Sequence, residues 1–139
     1  MEIPAGWTYR PATEEWPAHS PSDPTAPFAD HFAAPQGRPL IFVFRQSLPA
    51  DQTEQQFTDQ VDVENSRGCE SQEPEQITVA GVGARLVRRS CAGGQEAILE
   101  ILLYDAGRAY EIYFVGQVLQ VAEDEPLFLS LLDTFQLPQ

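Results

Sequence analysis

Two cysteines, two histidines, three clustered arginines and a few N-terminal aromatic residues carry most of the chemistry this sequence could perform. Cys69 and Cys91 each stand beside turn residues, Arg67-Gly68 and Gly93-Gly94. Paired, they close a loop of about 23 residues and stabilise the fold by roughly 3 kcal/mol through restriction of the unfolded chain. Unpaired, they are two reduced thiols. Neither has a second Cys or a His within four residues, so the spacing fits no metal motif.

General acid–base and nucleophilic catalysis usually recruit a histidine. His19 and His31 both lie in the proline-rich N-terminal part, near Asp23 and Asp30. The adjacent Asp30-His31 pair is the one catalytic or metal-binding candidate, and two loop residues is the simpler reading. Ser20, Ser22, Ser47 and Ser90 stand in no nucleophile-elbow pattern. Gly81-Val-Gly83 begins like a dinucleotide fingerprint, but Leu86 occupies the next required glycine position and no helix is expected to follow. No phosphate-binding loop or calcium-binding loop is present. No catalytic, cofactor or metal site is therefore expected.

Arg85, Arg88 and Arg89 form the only basic cluster. They either pair across strands with Glu100 or Glu96 and offset an acidic surface, or they form an anion-binding patch. Trp7, Tyr9 and Trp16 sit among prolines. They either cap the end of the core or present a recognition surface.

The elements that must position these residues follow from the pattern. The stretch 97–115 reads as a β-hairpin with its turn at Ala106-Gly107. That register sets Leu103 opposite Tyr110, Ile101 opposite Ile112 and Leu99 opposite Phe114, all on one face. The other face carries Glu100, Leu102, Tyr104, Glu111 and Tyr113 and is expected to be mixed and partly wet. Residues 39–48 are apolar on both faces at their start, which predicts a central strand. A helix is expected from an Asp51–Glu54 capping box to residue 66, docking through Phe57 and Val61 and otherwise solvated. Residues 71–76 read as a loop. Residues 77–79 and 84–90 read as strand, with a bend or bulge at 81–83, completing an antiparallel meander with the hairpin. A final helix is expected to start at Glu123-Asp124-Glu125-Pro126. Its apolar stripe is Leu127, Phe128, Leu131, Leu132 and Phe135, and a short strand at 135–137 follows. Eight of the twelve prolines fall within 1–39. There the sequence suggests strands at 6–10 and 14–16, a loop at 20–27 and one or two helical turns at 28–34.

The whole is expected to be one domain, 1–139, with 1–39 as proline-rich strands and loop and 40–139 as the main sheet and two helices. The formal charge is −13, from 21 acidic residues against 8 basic ones, all arginine. Such a surface disfavours nucleic acid and anionic membranes. It serves solubility, or it offers an acidic face to a basic partner or a divalent cation. No run approaches the ~20 apolar residues of a membrane span, so no membrane insertion is expected. The start MEIPAGW lacks the regions of a signal peptide. That suits a cytosolic chain or one that begins after a removed signal or anchor.

Three segments resemble the Mog1/PsbP-like family. They are Pro4-Ala-Gly6-Trp7, Ile77-Thr-Val-Ala-Gly81-Val-Gly-Ala84, and the helix end Leu131-Leu132-Asp-Thr134-Phe135. The resemblance implies an α+β fold in which an antiparallel sheet of about six strands, with a central meander, lies between helices. It also implies a mostly non-catalytic role. The family includes lumenal proteins that assist photosystem II, a nuclear-transport cofactor that binds a small GTPase, bacterial envelope lipoproteins and chaperones of type VI secretion effectors. The leading expectation is a non-enzymatic binding or accessory domain of a secreted or lipid-anchored bacterial protein, with an unidentified protein partner. The alternative is a cytosolic chaperone or adaptor of the secretion type that binds an apolar client segment. A third is an anion carrier or enzyme using Arg85, Arg88 and Arg89. The sequence sets no oligomeric state.

Overall fold

The computed structural model of the chain describes residues 1–16, 25–37 and 39–138. Eight strands form one antiparallel sheet: β1 (Thr8–Arg10), β2 (Ala29–Ala33), β3 (Leu40–Ser47), β4 (Cys69–Ser71), β5 (Glu75–Val79), β6 (Val82–Cys91), β7 (Glu96–Asp105) and β8 (Arg108–Gln117). The spatial order is β1-β2-β3-β8-β7-β6-β4, and β5 also pairs with β6. Three α-helices are described, the single turn α1 (Thr25–Phe28), α2 (Glu54–Asn65) and α3 (Val118–Leu132), with short 3-10 turns at Pro35–Gly37 and Ala92–Gly94. The sheet lies between α2 and α3, an α+β arrangement.

The central hairpin β7–β8 has the expected register, with Leu99 opposite Phe114, Ile101 opposite Ile112 and Leu103 opposite Tyr110. Ala106 and Gly107 both take positive φ, the geometry of a tight two-residue hairpin turn. Ala80-Gly81 repeats this turn between β5 and β6, where a bend or bulge was expected. The meander therefore has four consecutive strands, β5 to β8.

One sheet face packs on α3. Phe114 and Phe128 stack with ring centroids 4.9 Å apart, and Ile101, Ile112 and Phe128 are fully buried. The helix begins at Val118, five residues before the expected start, and holds Pro126 in its interior. The early start is possible because Gly116 lets α3 close on β8. A Cβ there would lie 3.1 Å from Val121 Cγ2. Pro126 removes one intrahelical hydrogen bond without ending the helix. Leu127 belongs to the expected apolar stripe but faces outward, 39% exposed. Residues 135–137 are not a strand, although Phe135 is buried against Tyr110.

The other face differs more from expectation. It is not partly wet: Leu102 is buried beneath Phe57 and Val61 of α2, and Glu100 and Glu111 are 0% and 1% exposed. The capping box of α2 is formed by Thr53 and Gln56, not Asp51 and Glu54. Thr53 Oγ1 accepts from the Gln56 N–H at 3.1 Å, and Gln56 Oε1 accepts from the Thr53 N–H at 2.9 Å.

The strand count exceeds six because pairing overrides local preference at two places. Residues 69–71 and 75–76, polar and split by Pro74, still pair with β6, the latter extending the expected strand 77–79. Residues 29–33, expected as helical turns, form β2 because Phe32 is buried and the Asp30 carboxylate accepts from the Arg45 guanidinium of β3 at 2.7 Å. Residues 14–16 are not a strand. Instead Trp16 donates its backbone N–H to the Arg45 carbonyl and buries its ring on Phe44. The expected loop at 20–27 falls largely outside the described residues, and its end forms α1.

The packing of α3 makes a direct prediction. Phe128→Ala should lower the unfolding free energy by ~3–5 kcal/mol in a denaturant titration, since it deletes a fully buried ring. Leu127→Ala, at an exposed position of the same helix, should change it by less than about 1 kcal/mol.

Candidate functional site

Two features of the described surface and interior stand out: a buried polar chain beneath α2, and a cleft on the opposite face beside α3.

The polar chain follows from register. Glu100 sits opposite Tyr113, and Leu102 opposite Glu111, so both carboxylates point toward α2. On α2, Phe57, Val61 and Asn65 follow at i, i+4 and i+8 and share one face. Asn65 Nδ2 donates to Glu100 Oε1 and, at 3.0 Å, to the Tyr113 hydroxyl. That hydroxyl donates to Glu111 Oε1. Arg89 Nη2 donates to Glu100 Oε2 at 3.0 Å and to Asp62 Oδ1 at 2.9 Å, while its Nη1 donates to Ser71 Oγ at 2.7 Å. Arg85 grips Asp62 with two hydrogen bonds, at 2.9 and 2.7 Å. The chain therefore runs from Glu111 through Tyr113, Asn65, Glu100, Arg89 and Asp62 to Arg85.

The electrostatics follow from burial. Desolvation raises the Glu100 carboxyl above its ordinary value, although Arg89 and Asn65 pull the other way. Burial works against the Arg89 charge, but the Glu100 and Asp62 carboxylates outweigh it and the guanidinium is held above its usual range. Burial, followed by the charge of Glu111, pushes the Tyr113 hydroxyl well up.

The three sequence-adjacent arginines are split in space by strand alternation. Arg85 and Arg89 lie on the α2 face. Arg88 lies on the α3 face, where it bonds Glu125 and Glu75, each at 2.8 Å. Of the expected partners Glu100 and Glu96, Glu100 is found, on Arg89. Trp7, Tyr9 and Trp16 are not brought together either. Trp7 packs half-buried on the α3-side core, and half-exposed Tyr9 stacks on Phe32 at 4.7 Å. Trp16 is buried against Phe44 in a separate cluster. Asp30 and His31 point to opposite faces of β2: Asp30 bonds Arg45 and the Ala12 N–H, and His31 stacks on Phe42. Burial, then Arg10, lowers the His31 pKa. His19 and Asp23 lie outside the described residues.

Cys69 and Cys91 are opposite one another on β4 and β6, with Cα atoms 4.1 Å apart, and are joined as a disulfide. The bond ties an outer strand, and through the short connection to Asn65 the end of α2, to the meander. Ser71, two residues on, is the Arg89 ligand.

On the α3 face, the same outer strand borders a cleft of about 300 Å³. Ala97 and Leu99 contribute apolar surface from the sheet, Val121 and Ala122 from α3, and Glu70, Arg88 and Glu125 the polar lining. Sequence reasoning anticipated the Arg–Glu100 link but missed the rest of the polar chain and the cleft. The available signal for the polar chain was two glutamates inside otherwise apolar strands, combined with Asn65 on the docking stripe of α2.

No protein-family model and no curated protein matches the chain. Solved structures do. One is the solution structure of cyanobacterial PsbP (CyanoP) from Synechocystis sp. PCC 6803, similar over 91% of this chain and 78% of that one, with TM-score 0.59 and 13% identity. Another is the crystal structure of PA94, a protein of unknown function from Pseudomonas aeruginosa, over 100% of this chain and 90% of that one, with TM-score 0.60 and 13% identity. The likeness is one of fold: this chain has a Mog1/PsbP-like fold. No helix among the described residues is long and apolar enough to cross a membrane.

The raised Glu100 pKa has a defined pH signature. The native state binds this proton more tightly than the unfolded chain, so the associated stability is complete below the ordinary value of 4.5 and is lost as pH rises through the native value. The unfolding free energy of the wild type minus that of Glu100→Gln should therefore fall as pH rises from 4.5 toward neutrality. A difference that grows over this range would mean that Arg89, not burial, dominates the carboxyl.

Proposed function

We propose that this domain of the Mog1/PsbP-like fold is a non-enzymatic binding or accessory module of a bacterial extracytoplasmic protein, secreted or lipid-anchored, that engages a protein partner. The observation that carries the reading is the Cys69–Cys91 disulfide across β4 and β6. Such bonds persist in oxidising compartments and are rare in the reducing cytosol. Coarser support comes from the fold, which is compatible with an accessory role.

The arginines support the non-catalytic part. Arg85, Arg88 and Arg89 are each bonded to carboxylates of the protein itself, so an anionic substrate would have to displace them. The separation of Asp30 from His31 points the same way. The cytosolic chaperone reading draws on one observation, the exposed Val118 and Leu119 at the start of α3. A disulfide weighs against its compartment.

The test uses the domain exported to the periplasm of a bacterial host, with free thiols alkylated at lysis. The expected intact mass is that of the oxidised chain, without alkylation. Reduction should then destabilise the purified domain by roughly 3 kcal/mol, which corresponds to a Tm drop of roughly 10 °C. Alkylation at both cysteines, with a Tm indifferent to reductant, would overturn the extracytoplasmic assignment. Cross-linking of the exported domain should trap a protein partner, whereas turnover of a small molecule by the pure domain would overturn the non-enzymatic one.

A further inference from the structure

The first turn of α3 leaves apolar side chains in solvent: Leu119 is 83% exposed and Val118 37%. Single exposed leucines are ordinary. These two adjoin the cleft beside α3, and Val118 lines both that cleft and a neighbouring hollow containing Gln95, Glu96 and Leu119. The apolar strip left in solvent is thus Val118 and Leu119, continuing from a cleft floor of Ala97 and the nearly buried Leu99 and Val121 beside the β4–β6 edge. The cleft itself, about 300 Å³, is large enough for one bulky apolar side chain.

The surroundings of the strip select the sign of a partner. Glu70, Glu96 and Glu125 line its borders. Arg88 is the basic side chain on this face of the cleft, and Glu75 and Glu125 already engage it. Arg89 turns its guanidinium to the opposite face. The protein as a whole carries −13. An acidic segment would meet carboxylates on approach, while a basic one would be drawn in and held in register by them. Pro74 and the acidic residues Glu70, Glu73 and Glu75 also discourage another neutral strand from adding to this sheet edge.

We propose that the cleft between α3 and the β4–β6 edge, continued over Val118 and Leu119, receives a short segment of another protein that carries an apolar anchor flanked by Lys or Arg. The proposal rests on the binding-module reading and names its surface and the chemistry of its partner. Apolar burial supplies the affinity, and the carboxylates supply direction and a dependence on salt.

The experiment titrates the ¹⁵N-labelled oxidised domain with two synthetic probes, a Leu/Lys peptide and a Leu/Glu peptide of equal length. The Leu/Lys peptide should shift the amides of Glu70, Ala97, Leu99, Val118, Leu119 and Val121. Its affinity should fall with added salt and drop at least tenfold in Ala122→Arg and in Leu119→Ser. Both substitutions are at exposed positions, and an unchanged Tm ties the loss to the surface. Equal binding of the Leu/Glu peptide, shifts confined to another face, or no shifts at all would overturn the proposal. The underlying reading fails separately. If cross-linking traps a partner equally well in Ala122→Arg, the cleft is wrong and the binding module stands. If no partner is trapped by either form, the module itself is wrong.

Discussion

A central hairpin buried on both faces, with two carboxylates on one of them, is the constraint that organises this molecule. Glu100 and Glu111 are as inaccessible as the leucines beside them. Removing an ion from water costs several kcal/mol even after relaxation, so each needs partners close by. Those partners come from separate parts of the chain: Asn65 from α2, Arg89 from β6, and Tyr113 from β8. The position of α2 is therefore set both by its buried Phe57 and Val61 and by the polar chain that Asp62 and Asn65 complete. The disulfide and the Ser71–Arg89 bond close the same region at the outer strand.

This division gives the two sheet faces different characters. The α2 face is a cross-braced interior, with Arg85 and Arg89 paired to Asp62 and Glu100 and a covalent tie at its margin. The α3 face holds the larger apolar core and, where α3 overruns the sheet edge, a cleft with apolar surface left in water.

The parts of the fold visible in the sequence are those dictated by local periodicity. The alternation of Leu99, Ile101 and Leu103 against Tyr110, Ile112 and Phe114, around Ala106-Gly107, specifies the hairpin register on its own, residue for residue as the strands pair. The stripe from Phe128 to Phe135 likewise announces a packed helix. Periodicity says which residues share a face but not what covers that face, so the burial of Glu100 and Glu111 was invisible until α2 was in place. The arginines show the same limit. Their adjacency in sequence suggested one patch, while alternation sends Arg88 to one side and Arg85 and Arg89 to the other. Strands β2 and β4 are not legible because their pairing comes from neighbours distant in sequence, with β3 and β6. The start of α3 was misplaced because Glu-Asp-Glu-Pro is a strong local signal, and the permissive close contact at Gly116 is a tertiary one.

The most direct test of this account is a double-mutant cycle between Arg89 and Glu100, using Arg89→Met and Glu100→Leu and measuring unfolding free energies at neutral pH. The buried pair predicts that each single replacement costs up to about 3–5 kcal/mol, because it removes one partner of a buried charged group. The double replacement should cost much less than their sum. Additive costs, within about 0.5 kcal/mol, would mean that the two groups do not depend on each other. The Arg89–Glu100 pair would then not be the link on which the buried polar chain depends.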